Sequence, residues 1–295
     1  MIREGYYRLP LVADLRVTGA DAETFLQSQF SQDVRGGVGR SVFGLWLDYR
    51  GRILGESTIL HVDESTFEVI SPYTEGDLIA AHMDAHIIAD EVEVERQSQR
   101  AAILMFTPLE EIEGIQVAEG AWIEWKGGRL CRLDRKLENG WLWMGAPVAE
   151  VDLIAHLDSL GFSLLSEETV ELERISACFP KIPEEVGERE TPGETGLMYG
   201  CSLNKGCYLG QEVVARMERL GRARKMLKSV RVEGSQLAKG DLLYSGEKNI
   251  GEIRGSLQLA DTWVGLGLMK VADYEEESED RVTDEMGRKV RFGTR

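Results

Sequence analysis

The chain has 295 residues, with 51 acidic side chains against 34 basic ones and a formal charge of −17. That balance argues against a protein that coats nucleic acid through its overall field. A hydrophobic fraction of 43% with 29% charged residues argues against a mainly disordered chain. The longest apolar run, Ala101 to Phe106, is far short of the roughly 20 residues that span a bilayer. Met1 to Tyr7 lacks the apolar core of a secretory signal. Four cysteines, Cys131, Cys178, Cys201 and Cys207, with no C-x-x-C pair, therefore read as free thiols in a reducing cytoplasm, without a membrane partner.

Leu11 to Val17 reads as a strand, followed by Thr18-Gly19-Ala20-Asp21 and a helical pattern through Ala22, Phe25, Leu26 and Phe30. Apolar alternation at Val42 to Leu47 and Ile53 to Leu60, joined by Tyr49-Arg50-Gly51, predicts a hairpin. Phe67 to Ile70 reads as a strand, Pro72 to Ala85 as a helix and Val92 to Glu95 as an edge strand. The same order follows again: a strand at Ala101 to Phe106, a short helix at Pro108 to Ile112, and strands at Ala121 to Trp125, Arg129 to Leu133 and Trp141 to Gly145. A helix from Val148 to Leu160, stopped by Gly161, and a strand at Phe162 to Leu165 complete it. Thr169 to Ala177 predicts a helix, and the Pro-, Gly- and Glu-rich Pro180 to Glu194 a boundary loop. From Met226 onward short strands with intervening glycines, at Lys228 to Val232, Asp241 to Ser245, Asn249 to Ser256, Val264 to Met269 and Lys289 to Phe292, are small-barrel grammar. The acid-rich Ala272 to Glu285 reads as a solvated loop. The expected divisions are 1–97 and 98–170, two similar α+β units, then a connecting segment 171–225 and a C-terminal β-barrel 226–295.

The most informative segment is Lys205-Gly206-Cys207-Tyr208-Leu209-Gly210-Gln211-Glu212, which leads into Val213, Val214, Met217 and Leu220 at helical spacing. Gly206 and Gly210 allow close backbone approach. The amide groups of the following helix, with Lys205, would favour a thiolate at Cys207. Cys207 is thus a candidate reactive thiol or metal ligand, against the commoner state of a lone cysteine as a small buried hydrophobe. From Lys205 to Arg231 eight bases face two acids, a local +6 that leaves −23 for the rest of the chain. A positive island in that field is a candidate anion site, or a set of surface salt bridges.

This octapeptide resembles the K-G-C-Y-x-G-Q-E signature of the YgfZ family of folate-binding proteins, whose mitochondrial relatives assist iron–sulfur cluster assembly. The similarity extends to Leu15 to Val34, to Asp48-Tyr49-Arg50-Gly51-Arg52-Ile53, to Arg222 to Leu227 and to Gly251 to Lys270, nearly the whole chain. It departs where relatives carry R-x-x-x-G-x-P: here stand Arg174, Cys178 and Pro180, with a cysteine in place of the glycine. The resemblance implies an α+β, T-protein-like fold of two ferredoxin-like units plus a C-terminal β-barrel, shared with the glycine-cleavage aminomethyltransferase. In that enzyme the corresponding segment resembles K-D-F-x-G-K-E, without a cysteine. Its catalytic aspartate aligns with Glu56, its pterin-binding glutamate near Leu142 and a folate-binding arginine near Val170, so two polar contacts are missing here.

The implied cofactor is tetrahydrofolate or a derivative, and the implied partners are iron–sulfur scaffold or client proteins, with tRNA as a further candidate. A cluster shared with a partner, Cys207 giving one ligand, is also implied, because no four-cysteine set is written in the chain. By chemistry a folate needs a carboxylate for the pterin edge, an aromatic slot and cations for the glutamate tail; Glu56, Trp46, Arg222 and Arg224 are the candidates, with Cys207 and Lys205 as the functional pair. Trp46, Trp141 and Trp143 lie in strand patterns where core packing is the default. His82 and His86 are four apart, but Met83 breaks the H-E-x-x-H pattern, and no glycine-rich phosphate loop occurs. The expected function is a folate-binding protein assisting iron–sulfur cluster assembly or repair, with little or no turnover. The alternatives are a folate-dependent aminomethyl transferase and a tRNA-modification accessory protein.

Overall fold

The computed structural model describes the chain apart from residues 1–3, 98–99, 109–112, 134–139, 222, 235, 274–280 and 294–295. The helix expected over Pro108 to Ile112 and most of the acid-rich stretch after Ala272 lie outside the described residues, as does Arg222.

The N-terminal strand β1 (Gly5–Arg8) precedes β2 (Ala13–Thr18), α1 (Ala22–Gln29), β3 (Ser41–Leu47), β4 (Ile53–Asp63), β5 (Thr66–Ser71), α2 (Gly76–Asp84) and β6 (Glu93–Arg96). All but β1 build one antiparallel sheet in the order β3-β4-β5-β2-β6. Its two helices bury Ala22, Phe25, Leu26, Ile79 and Met83 against one face, where Val17, Phe67 and Val69 also point. Strand β3 is buried along its whole length, so its period of two sorts residues between two cores rather than between core and water. Val42 and Trp46 join the helix side. Phe43, Leu45 and Leu47 face the connecting segment. The helix predicted from Pro72 starts only at Gly76, because Ser71 Oγ accepts the backbone N–H groups of Tyr73 and Thr74 and shapes a turn there.

The second sheet runs β11-β1-β7-β10-β9-β8, with β7 (Ala101–Phe106), β8 (Trp122–Trp125), β9 (Gly128–Arg132), β10 (Gly140–Gly145) and β11 (Ser163–Leu164), and α3 (Pro147–Ser159) between the last two strands. The first strand of the chain thus belongs to this sheet, pairing antiparallel with β7 through Gly5 opposite Phe106. Trp141 and Trp143 pack toward α3 and donate to the carbonyls of Thr107 and Trp125 at 3.0 and 2.9 Å, as core tryptophans with satisfied N–H groups should. The opposite face, with Leu104, Phe106 and Leu142, packs on Leu60 and Ile70 of the first sheet. Arg100 and Arg129 both donate to Glu68, at 2.6 and 2.7 Å, and the Arg129 contact ties β9 of the second sheet to β5 of the first.

The connecting segment carries α4 (Glu167–Ser176), a one-turn α5 (Pro192–Thr195) and α6 (Gln211–Leu220). Arg174, only 3% exposed, donates to Phe179 O at 2.7 Å and to Glu185, so its charge is neutralised where it is buried. Cys178 has φ +52°, a left-handed conformation that a glycine adopts with less strain. The remaining strands, β12 (Lys225–Glu233), β13 (Leu242–Ser245), β14 (Lys248–Leu259), β15 (Thr262–Lys270), β16 (Val282–Asp284) and β17 (Val290–Phe292), form a sheet in the order β16-β13-β14-β15-β12-β17. A bridge between Thr283 and Lys289 joins its two end strands and nearly closes the barrel around Val230, Leu243, Ile253 and Met269. The end of the acid-rich stretch is therefore not a loop: Val282 enters the barrel core, and Asp284 accepts the amides of Met286 and Arg288 at 2.9 Å.

Candidate functional site

The motif loop is fastened from beneath by the end of α1 and the residues after it. Ser202 N donates to Ser31 O at 2.9 Å, Leu209 N to Ser28 O at 3.1 Å and Gln27 Nε2 to Lys205 O at 3.2 Å. Lys205 completes the attachment. It is 3% exposed, its ammonium donates to Phe30 O at 2.6 Å and Gln32 O at 2.8 Å, and it lies 5.1 Å from the centre of the Tyr208 ring. Burial pulls this ammonium down to about 7, against the attraction of Asp33. Lys205 therefore does not point outward to Cys207 as its adjacency in sequence suggests; it is an internal fastener, and the thiol it acts on electrostatically is Cys201.

Gly206, at φ +90°, turns the chain between the buried Lys205 and the exposed Cys207. Tyr208 is buried again, 6% exposed, its hydroxyl without a hydrogen-bond partner among the described residues; burial raises its pKa. Gly210 sits at φ +82°, and a Cβ there would lie 2.6 Å from Asp48 O and 2.9 Å from Gly51 Cα. The second motif glycine thus lets the loop rest directly on the turn between β3 and β4. Gln211 and Glu212 open α6, with Glu212 exposed. Six residues before Cys207, Cys201 presents the opposite environment: it is 8% exposed, and burial pushes its thiol up to about 12 despite a hydrogen bond with Ser31.

Of the four candidate folate contacts, three fall among the described residues. Trp46 is fully buried, its indole N–H donating to Ser57 Oγ at 2.9 Å and its ring 5.0 Å from Phe30. Glu56 is also fully buried, accepting from Ser71 and using its amide on Thr74 Oγ1. Both side chains are built into the sheet interior, and neither lines the cavities described below. Arg222 lies outside the described residues, and Arg224 is exposed beside α6. The His82 and His86 rings lie 4.7 Å apart, tilted by 42°, and burial together with His86 holds His82 down to about 4. Among the described residues no group of three or more His, Cys, Asp or Glu is arranged to hold a metal, and no helix is long and apolar enough to cross a membrane.

A cavity of about 640 Å³ lies where the first sheet, the second unit and the motif segment meet, lined by Gln32, Arg40, Phe43, Glu119 and Tyr199 among others. Phe43 and Tyr199 stack with centroids 5.5 Å apart, and Tyr199 is 40% exposed. Arg40 Nε is buried without an acceptor, and Glu119 is exposed at the rim. Gln32 belongs to both places, since its side-chain amide donates to Tyr199 O at 3.1 Å and its carbonyl receives Lys205. This cavity therefore combines a carboxylate (Glu119), an aromatic wall (Phe43 and Tyr199) and a guanidinium (Arg40). Cys207 lines neither this cavity nor the one beside α6. One signal pointed to Phe43: on a strand buried on both faces it falls opposite to Trp46. Nothing local pointed to Glu119 or Tyr199, which arrive from other elements.

Residues 9–107 match the family model of the GCVT N-terminal domain. Over 242 residues, 76% of this chain, the sequence is 21% identical to an aminomethyltransferase of Exiguobacterium sibiricum, and the match spans 66% of that protein's length. The fold is that of the glycine cleavage system aminomethyltransferase T from Bartonella henselae, with a TM-score of 0.78, 17% identity, and coverage of 99% of this chain and 86% of that one. The chain thus has a T-protein-like fold, mixed α+β with a nearly closed β-barrel-like sheet at its C-terminal end.

Proposed function

We propose that this chain is a folate-binding protein of the YgfZ type, which holds a reduced folate in the cavity between Phe43, Tyr199 and Glu119 and presents Cys207 as a surface thiol in iron–sulfur cluster assembly or repair. The observation that carries the reading is the motif loop itself: Lys205 is buried and bound to two carbonyls, while Cys207, two residues on, is exposed. A loop fixed from within and bearing a thiol outside is suited to meeting another protein. A transferase that encloses its substrate would instead draw its reactive groups inward.

The cavity fits the cofactor's chemistry. Glu119 offers a carboxylate to pterin N–H groups, the Phe43 and Tyr199 rings an aromatic wall, and Arg40 an unsatisfied donor for a carboxylate of the tail. When bound, the folate supplies a one-carbon carrier; the protein's own residues orient it and exclude water. In this reading an iron–sulfur cluster is cargo, with Cys207 contributing one thiolate and the partner the others.

Titration of the purified chain with tetrahydrofolate, followed by calorimetry, tests the cofactor. Saturable binding that weakens at least tenfold in Glu119→Gln and in Tyr199→Ala is expected; no binding to the wild type rejects it. Expression of Cys207→Ala in cells lacking the native gene tests the thiol: iron–sulfur enzyme activities should stay low, and full rescue removes Cys207 from the mechanism. The match of residues 9–107 to the GCVT N-terminal domain favours a second reading, aminomethyl transfer to tetrahydrofolate. Incubation with tetrahydrofolate and an aminomethylated carrier protein separates the two, since the first reading expects no turnover above blank.

A further inference from the structure

A second cavity, of about 660 Å³, lies between α6, the turn joining β3 and β4, and the chain on either side of α5. Gly221, in the left-handed region at φ +60°, ends α6, and Arg216 from the helix and Arg224 from the chain after it both line the cavity. Arg50 and Arg189 face the same space from the hairpin turn and the connecting loop. None of these four arginines is paired with a carboxylate among the described residues, although 51 of the 295 residues are acidic. Arg52 and Lys225 add two partly committed cations, bound to Glu188 O at 2.9 Å and 3.5 Å from Glu190. The one carboxylate in the wall, Glu194, is occupied by the amide and hydroxyl of Thr191. Val213, Met217 and Leu220 form an apolar strip along one side, with Leu220 68% exposed.

We infer that this cavity is a binding site for a small organic polyphosphate, its phosphates gripped by Arg50, Arg189, Arg216 and Arg224 and its organic part laid on the Val213, Met217 and Leu220 strip. Unpaired guanidinium groups converging on one space repel one another, and a bound anion relieves that repulsion. Arginine offers planar paired donors that match phosphate oxygens. The volume is that of a ligand pocket for a molecule of nucleotide size. Compactness follows from the rest of the charge: outside the island the chain carries −23, which opposes a long polyanion such as RNA lying across the surface but leaves a compact one inside a cavity whose charged wall is mostly cationic. The cavity shares no lining residue with that of Phe43 and Tyr199, so the inference does not rest on folate binding.

The test uses the full chain, with inorganic triphosphate and ADP as probes, titrated calorimetrically at about 0.15 M salt, where surface charge is screened beyond about 8 Å. Saturable binding of both is expected, weakened at least tenfold in Arg216→Glu and in Arg224→Glu. It should change less than twofold in Arg219→Glu, which makes the same charge change on α6 outside this cavity. Circular dichroism of each variant shows that the fold is kept, and tetrahydrofolate affinity should be unmoved by Arg216→Glu. Absence of saturable binding, or equal weakening by Arg219→Glu, overturns the inference. So does tighter binding of a short single-stranded RNA than of either probe, or of a γ-linked glutamate oligomer, which would give the cavity to nucleic acid or to a folate tail.

Discussion

Cys201 and Cys207 belong to one short stretch of chain, yet one is sealed and the other open. Cys201 lies in the core with Phe43, Leu197 and Tyr208, its thiol pushed up to about 12 by burial. Cys207 stands outside, on the far side of Lys205 and Gly206. The difference teaches that this loop has an inside, made of Lys205, Tyr208 and Cys201, whose work is attachment, and an outside whose work is contact.

The inside should bear the larger effects on stability. Lys205→Met leaves Phe30 O and Gln32 O without their buried donor, and is expected to cost about 3 kcal/mol in urea unfolding; a loss below about 1 kcal/mol would break the distinction. The same residue sets a pH dependence. Its folded-state pKa of about 7 lies below the ordinary 10.5, so between these values the unfolded chain binds the extra proton and stability rises with pH. Burial raises Cys201 from 9.0 to about 12, which works in the opposite direction above pH 9, leaving pH 7 to 9 as the clear window. Across it the wild type should gain about 1 to 2 kcal/mol relative to Lys205→Met.

Gly210→Ala forces a Cβ to within 2.6 Å of Asp48 O at φ +82° and should cost about 2 kcal/mol. The smallest effects separate the cysteines themselves. Cys201→Ala is expected to lose about 1 kcal/mol, while Cys207→Ala should stay within about 0.5 kcal/mol of the wild type. Equal losses would erase the contrast.

Much of the fold was legible because its strands announce themselves: Val42 to Leu47 differs from the observed β3 by a single residue, and Ala101 to Phe106 matches β7. What escaped was short or shared between elements. Gly5–Arg8 has no alternation to mark it and becomes a strand only by pairing with β7. Pro192–Thr195 is one turn, held by a capping box between Thr191 and Glu194 inside a stretch whose prolines and glycines read as loop. At the site the octapeptide was legible as a unit, but its contact with the hairpin turn, where Gly210 meets Gly51, was not, because the two are far apart in sequence. The direction of Lys205 was not, because a four-carbon stem can carry its ammonium to either side of the chain. Trp46 and Phe43 lie on one strand, but the two buried faces of the sheet send Trp46 into the helix-side core and Phe43 to the wall of the cavity.

The most direct measurement is peptide-resolved alkylation of the native protein with iodoacetamide, followed by mass spectrometry. Cys207 should be modified while Cys201 and Cys131 remain intact until denaturant is added. Protection of Cys207 in the folded chain, or its modification only in step with Cys201, would contradict an outward-facing thiol on an inwardly fastened loop.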